Sequence, residues 1–323
     1  MKTPVILIAG SIGIALLPLT GSVFYMQLLS KIMVLAIFAM SLDLLVGYGG
    51  LVSLGHAAFF GVGAYAIALL SPKYEPASFW LTFPLTLAIA AALALVIGLL
   101  VVRATGVYFI MVTLAFAQML YYLFHDTKLG GGSDGLFLYA RPELKLAGAK
   151  LLNLEAPVHF YYLVFALMLG VFFLLRTILA SPFGHALSAV RVNEQRMRSL
   201  GFPALWYKLA AFVLAGGLAG LAGYLSACQF GFVNPEILSW HYSAGVLMML
   251  ILGGMGRLYG AVVGAFAFVL LQEVLASDRL FGPLAKHWQL PMGVFIVLIV
   301  LLAPSGLTGL AQLAKQPRAA VDG

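Results

Sequence analysis

The chain has 323 residues, 63% of them hydrophobic and only 9% charged, with a mean hydropathy of +1.05. No soluble domain of that length hides so much apolar surface, so the composition excludes an ordinary soluble enzyme and points to a polytopic membrane protein. A formal charge of +7 would suit nucleic acid in a soluble chain, but here most of the excess lies in loops, where retention of positive loops on the cytoplasmic side accounts for it and no nucleic-acid partner is expected.

Met1 and Lys2 precede an apolar run at 4–20 that ends in Thr20-Gly21-Ser22. Signal peptides share this pattern, but an equally apolar segment follows, so the run is read as a retained first helix. Further apolar runs fall at 30–47, 54–71, 79–102, 107–124, 158–179, 208–229, 241–254, 258–276 and 290–304. The expected fold is therefore all-α, a single membrane domain over 1–323 with about ten transmembrane or partly membrane-embedded helices.

Two helix pairs are joined by short glycine-rich breaks, Gly47-Tyr48-Gly49-Gly50 through Gly55 and Gly253-Gly254-Met255-Gly256 through Gly260. Broken helices in corresponding positions point to a substrate path in a transporter. The plainer reading is close helix packing, since Gly256, Gly260 and Gly264 form consecutive GxxxG spacings, as do Gly216 and Gly220. Asp43, His56, Gln118, Gln272 and Glu273 fall within or at the ends of apolar segments, where a polar group needs a cavity or a partner. Asp43 and His56 flank the first break, and either lining a path or bonding between helices would explain them. Glu273 lies near the outer end of its helix and can also reach the interface. The candidate path residues are Asp43, Tyr48, Gly49, Gly50, His56, Gly253, Gly254, Gly256 and Gly260.

The segment 125–157 carries the cluster Gly130-Gly131-Gly132-Ser133-Asp134-Gly135, which favours turns and reads as a flexible external loop. No Gly-Lys pair occurs, so the chain has no phosphate-cradling loop of its own. There is no HExxH helix, the histidines lack ligand spacing, and Cys228 has no second cysteine to pair with. Neither an enzyme nor a metal or cofactor site is expected.

The segment 181–208 sets Arg191, Arg196, Arg198 and Lys208 against a single Glu194. Hydrocarbon offers such a stretch no partners, so it must project into water as a basic cytoplasmic platform where a soluble partner docks. Alternating outward from it places both termini in the cytoplasm, with Arg103, Arg257, Lys315 and Arg318 on the same side.

Several segments together resemble the LivM-type inner-membrane permease family of bacterial branched-chain amino acid ABC importers. They are Leu42-Asp43-Leu44-Leu45-Val46-Gly47-Tyr48-Gly49-Gly50 with Ser53-Leu54-Gly55-His56-Ala57-Ala58-Phe59-Phe60-Gly61, then Gly106-Val107-Tyr108-Phe109 with Thr113-Leu114-Ala115. Gly131-Gly132-Ser133-Asp134-Gly135-Leu136 and Leu252-Gly253-Gly254-Met255-Gly256 with Gly260 follow in the family's order. Ala189-Val190-Arg191-Val192-Asn193-Glu194 with Leu200-Gly201 and Tyr207-Lys208 is similar to the loop that forms the coupling helix against the ATPase. Where many permeases carry alanines after the glutamate, this chain has Gln195-Arg196-Met197-Arg198, a more basic surface.

The resemblance implies an ATP-driven importer of branched-chain or related hydrophobic amino acids in the bacterial inner membrane. Its partners would be a second permease subunit, cytoplasmic ATPase subunits and a periplasmic substrate-binding protein, within membrane lipid. Arg191, Glu194, Arg196, Arg198 and Gly201 would then be the ATPase-coupling residues. The competing reading is a self-sufficient secondary transporter or channel that uses Asp43 and His56 as an ion relay.

Overall fold

The structure is a computed structural model that describes residues 21–72, 75–146, 149–152, 154–303 and 306–313, together with Ala15 and Pro18. The apolar run at 4–20 lies almost wholly outside the described residues. Among them, seven helices are long and apolar enough to cross a membrane, and two shorter apolar helices accompany them. The fold is therefore a helical membrane protein, while the expected count of about ten is not reached within the described residues.

The long helices are α1 (Val23–Asp43, continued by a π-helical turn over Leu44–Tyr48), α3 (Phe79–Val101), α4 (Val107–Asp126), α5 (Pro157–Ala180), α8 (Ala204–Phe230), α10 (Leu258–Leu275) and α12 (Gln289–Leu302). The short apolar ones are α2 (His56–Leu70) and α9 (Trp240–Gly253). Between α5 and α8 lie α6 (Pro182–Val192) and α7 (Glu194–Ser199), and the C-terminal part adds α11 (Asp278–Phe281) and α13 (Gly306–Leu313).

α1 is apolar on every side and almost entirely buried from Ile32 to Leu45, as expected of a helix at the centre of a bundle. α8 packs against α1, α2 and α3, while α10 and α5 cover other faces of α1. Small residues set the α2–α8 distance: a Cβ on Gly223 would overlap the carbonyl of Phe60, and one on Gly63 would overlap that of Gly220. The outer helices α4 and α12 instead present Met111, Met119, Leu298 and Leu301 outward, the surface that lipid or another membrane subunit covers.

The 125–157 segment is more structured than its glycines suggest. Two short 3-10 turns precede β1 (Leu136–Phe137), and β2 (Leu144–Leu146) pairs antiparallel with β3 (Ala149–Leu152). β1 pairs antiparallel with β4 (Phe232–Val233), which follows α8, through Leu136 opposite Val233 and Phe137 opposite Phe232. These strands qualify the all-α expectation: edge backbone groups outside the bundle find partners in one another.

Candidate functional site

The two glycine breaks meet. At the end of α1 the backbone widens into the π turn, where the Gly49 amide donates to the Leu44 carbonyl at 3.1 Å and the Leu51 amide to that of Leu45 at 2.9 Å. The second break lies against this turn because the buried Asp43 accepts a hydrogen bond from the Gly256 amide on Oδ1 at 2.8 Å. A Cβ on Gly47 would overlap Asp43 Oδ1 and lie 2.5 Å from the Gly256 nitrogen. Gly256 itself has φ +76°, a left-handed conformation that glycine adopts without strain.

Arg191 of α6 closes the junction. Its Nη1 donates to the Gly47 carbonyl, and its stem lies across Gly50, where a Cβ would come within 2.8 Å of Arg191 Cγ. The segment read as a platform is thus bound to the breaks by one side chain. On the far side, Thr308 of α13 donates to the Gly253 carbonyl at 2.8 Å, and Gly260 packs against the Gly254 carbonyl. Tyr48 is half-buried beside these groups. Thr308 was not among the sequence candidates, because nothing local distinguishes it from a helix-surface threonine.

His56 stands apart from Asp43. Its Nε2 lies 2.9 Å from Ser41 Oγ, and its ring stacks on Phe38 with centroids 5.5 Å apart. The Ala57 amide, in the first turn of α2, donates to Ser243 Oγ at 2.8 Å. Ser243 stands ten residues, about 15 Å, along α9 from Gly253. The chain from Gly49 to Gly55 therefore climbs into the bundle, and α2 begins beside the first turns of α9 rather than at the glycine junction. Among the described residues no hydrogen bond joins Asp43 and His56, the two residues that the competing reading casts as an ion relay. Of the other intramembrane polar residues, Gln118 lines a cavity of about 620 Å³ with Tyr121, Glu236, Trp240 and His241, and Glu273 lines a different one.

The basic platform is largely self-paired. Asn193 caps α7 by accepting from the Arg196 amide at 2.9 Å. Arg198 pairs with Glu194 at 2.5 Å, and Lys208, buried in the first turns of α8, donates to the same carboxylate. Gly201, at φ +85° with open space around it, turns the chain from α7 toward α8. Arg196 is exposed with no charged partner among the described residues.

Partial burial works against ionisation of Glu194, but the Lys208 ammonium and then the Arg198 guanidinium outweigh it and hold the carboxyl below the ordinary carboxylate range. A depressed carboxyl contributes stability that is full above its unfolded value and is lost as pH falls through the folded one. Glu194→Gln leaves the buried Lys208 without its partner. Between the ~0–1 kcal/mol of an exposed pair and the ~3–5 kcal/mol of breaking a buried one, a loss of about 2 kcal/mol is expected near neutral pH. Thermal unfolding of the purified protein should show it, with the gap to wild type closing on acidification; a gap unchanged by pH would contradict the pairing.

A family described as "Branched-chain amino acid transport system / permease component" matches residues 24–309. The chain is 30% identical over 294 residues to the high-affinity branched-chain amino acid transport system permease protein LivM of Salmonella typhimurium, covering 85% of this chain and 68% of that one. The LivM of Escherichia coli matches to the same extent. The autoinducer 2 import system permease protein LsrC of Photorhabdus laumondii is 29% identical over 176 residues, covering 53% of this chain and 50% of that one. No solved structure matches the chain.

Proposed function

The chain belongs to the family of branched-chain amino acid transport permease components, and from that premise we propose that it is one permease half of an ATP-driven importer of branched-chain or related hydrophobic amino acids. It is a transport component rather than an enzyme. In this reading a second permease subunit completes the path, cytoplasmic ATPase subunits drive it, and a periplasmic binding protein delivers substrate. The protein sits in the inner membrane with both termini and the 181–208 segment cytoplasmic and the 125–157 segment external.

One observation carries the coupling role: Arg191 links α6 directly to the carbonyl of Gly47, where the two breaks meet. A partner that moves α6 thereby moves the contact between Gly47 and Gly256. The surface around it supports docking, since Val192, Leu200 and Phe202 are 86%, 66% and 40% exposed outside the spanning helices. Apolar side chains left exposed outside the spanning helices suit a protein interface. Arg196 on its rim, with Arg198 and Glu194 held by their own pair and Gly201 shaping the turn, completes the ATPase-facing surface. The junction of Asp43, Tyr48, Gly47, Gly49, Gly50, Gly253, Gly254, Gly256 and Gly260 then acts as the inner closure of the path, while His56 holds the start of α2 above it.

Inverted membrane vesicles exclude the external face, so right-side-out and inverted preparations separate the two orientations. A cysteine at the exposed Ser133 should react with an impermeant maleimide from the outside only; the native Cys228 is buried and adds little background. Leucine uptake should require ATP and the ATPase subunits together. Labelling of residue 133 only from the cytoplasmic side would invert the topology, and uptake independent of the ATPase would remove the importer reading.

A further inference from the structure

Lys31, half-buried in α1, and Glu273, exposed two residues from the end of α10, are opposite charges, and neither is ion-paired among the described residues. An ionised side chain in a spanning helix is costly unless it faces water, a partner or a ligand. Both line one cavity of about 450 Å³ between the outer parts of α1, α8 and α10. That volume lies within the range of small-molecule sites. Lys31 is eight residues, about 12 Å, below the start of α1, so the cavity reaches into the outer part of the membrane.

The walls are pinned rather than loose. Arg141 spends Nη1 on the Leu154 carbonyl at 2.9 Å and Nη2 on the Gln229 carbonyl at 3.1 Å, while the Gln229 side-chain amide donates to the Gln27 carbonyl at 2.8 Å. Arg141 is therefore fixed in the wall as a third charge, and Lys31 and Glu273 are the two whose side chains have no hydrogen bond or ion pair among the described residues. Phe24, Leu28 and Phe230 supply apolar surface beside them. We infer that this outer cavity binds a zwitterionic amino acid, with its carboxylate on Lys31, its ammonium on Glu273 and its apolar side chain against Phe24, Leu28 and Phe230. The inference deepens the importer reading and rests on it, by placing a substrate site on the permease itself at the external end.

Binding to the full chain in nanodiscs tests it without requiring ATP coupling. Phosphatidylglycerol alone as the lipid removes zwitterionic headgroups as a competing occupant. By saturation-transfer NMR, leucine should bind at least tenfold more tightly than leucinamide, which lacks the carboxylate, or 4-methylpentanoate, which lacks the ammonium. Lys31→Gln should erase the preference over leucinamide and Glu273→Gln the preference over 4-methylpentanoate, each weakening leucine at least tenfold. The analogue series on the wild-type chain stands even if a variant fails to fold. Equal binding of all three compounds to the wild type, or wild-type preferences in both well-folded variants, would overturn the site. ATP-dependent uptake in vesicles is read separately, so loss of the site with uptake intact leaves the importer reading standing, and loss of ATP dependence removes that reading alone.

Discussion

Replacing Gly47 with alanine is expected to reduce leucine uptake to below a tenth of wild type. The added carbon has no room: it would overlap Asp43 Oδ1 and lie 2.5 Å from the nitrogen and 2.7 Å from the Cα of Gly256. Two of those three atoms are backbone, which cannot swing aside as a side-chain tip can. Overpacking costs typically ~1–3 kcal/mol by itself, and here relief requires parting the Asp43–Gly256 hydrogen bond, whose buried charged acceptor makes it worth ~1.5–3 kcal/mol more. The control is Gly170→Ala in α5, where nothing lies within 4 Å of the new Cβ and uptake should be unchanged. Uptake assays should be paired with size-exclusion profiles of the detergent-extracted protein. Normal uptake in Gly47→Ala would mean that the two breaks separate freely and that their contact is not part of the path.

Arg191→Glu should leave the protein inserted and yet lower ATP-dependent uptake and substrate-stimulated ATP hydrolysis together, by at least tenfold. The wild-type guanidinium donates to the Gly47 carbonyl and lies on the same junction as the Asp43 carboxylate. A glutamate there has no donor for the carbonyl and adds a second negative charge beside a buried one. Losing a hydrogen bond from a charged donor costs ~1.5–3 kcal/mol, and reversal adds repulsion. Arg191→Lys keeps the charge but not the reach of the planar fork, so it should retain part of the activity. Wild-type stimulated hydrolysis in the reversed variant would reduce the bond to a structural pin.

Several elements were legible directly. The run at 79–102 became α3 over Phe79–Val101, and the run at 258–276 became α10 over Leu258–Leu275, because hydrocarbon demands both an apolar surface and an internally bonded backbone over a fixed thickness. α1, by contrast, starts at Val23, several residues before the run at 30–47. Hydropathy counts side chains, whereas the helix continues through Gln27 because its backbone bonds do not depend on that side chain's polarity. The 181–208 segment was recognisable as a polar platform, but its division into α6, α7 and the first turns of α8 was not.

The sequence by itself determined which segments leave water, where glycine interrupts them and where the positive charge collects, since each depends on residue type and local order. Only the tertiary structure decided what those features touch. Asp43 meets Gly256 across 213 positions, Arg191 meets Gly47 across 144, and Glu194 meets Lys208 across 14. Asp43 and His56, close in sequence around one break, instead take separate partners, because the Gly49–Gly55 segment carries His56 up into the bundle. Lys31, which falls within the apolar run at 30–47, shares a cavity with Glu273. Such pairings depend on how closely helix axes approach and which faces they turn toward each other, quantities set by the packing of the whole bundle rather than by any single stretch of it.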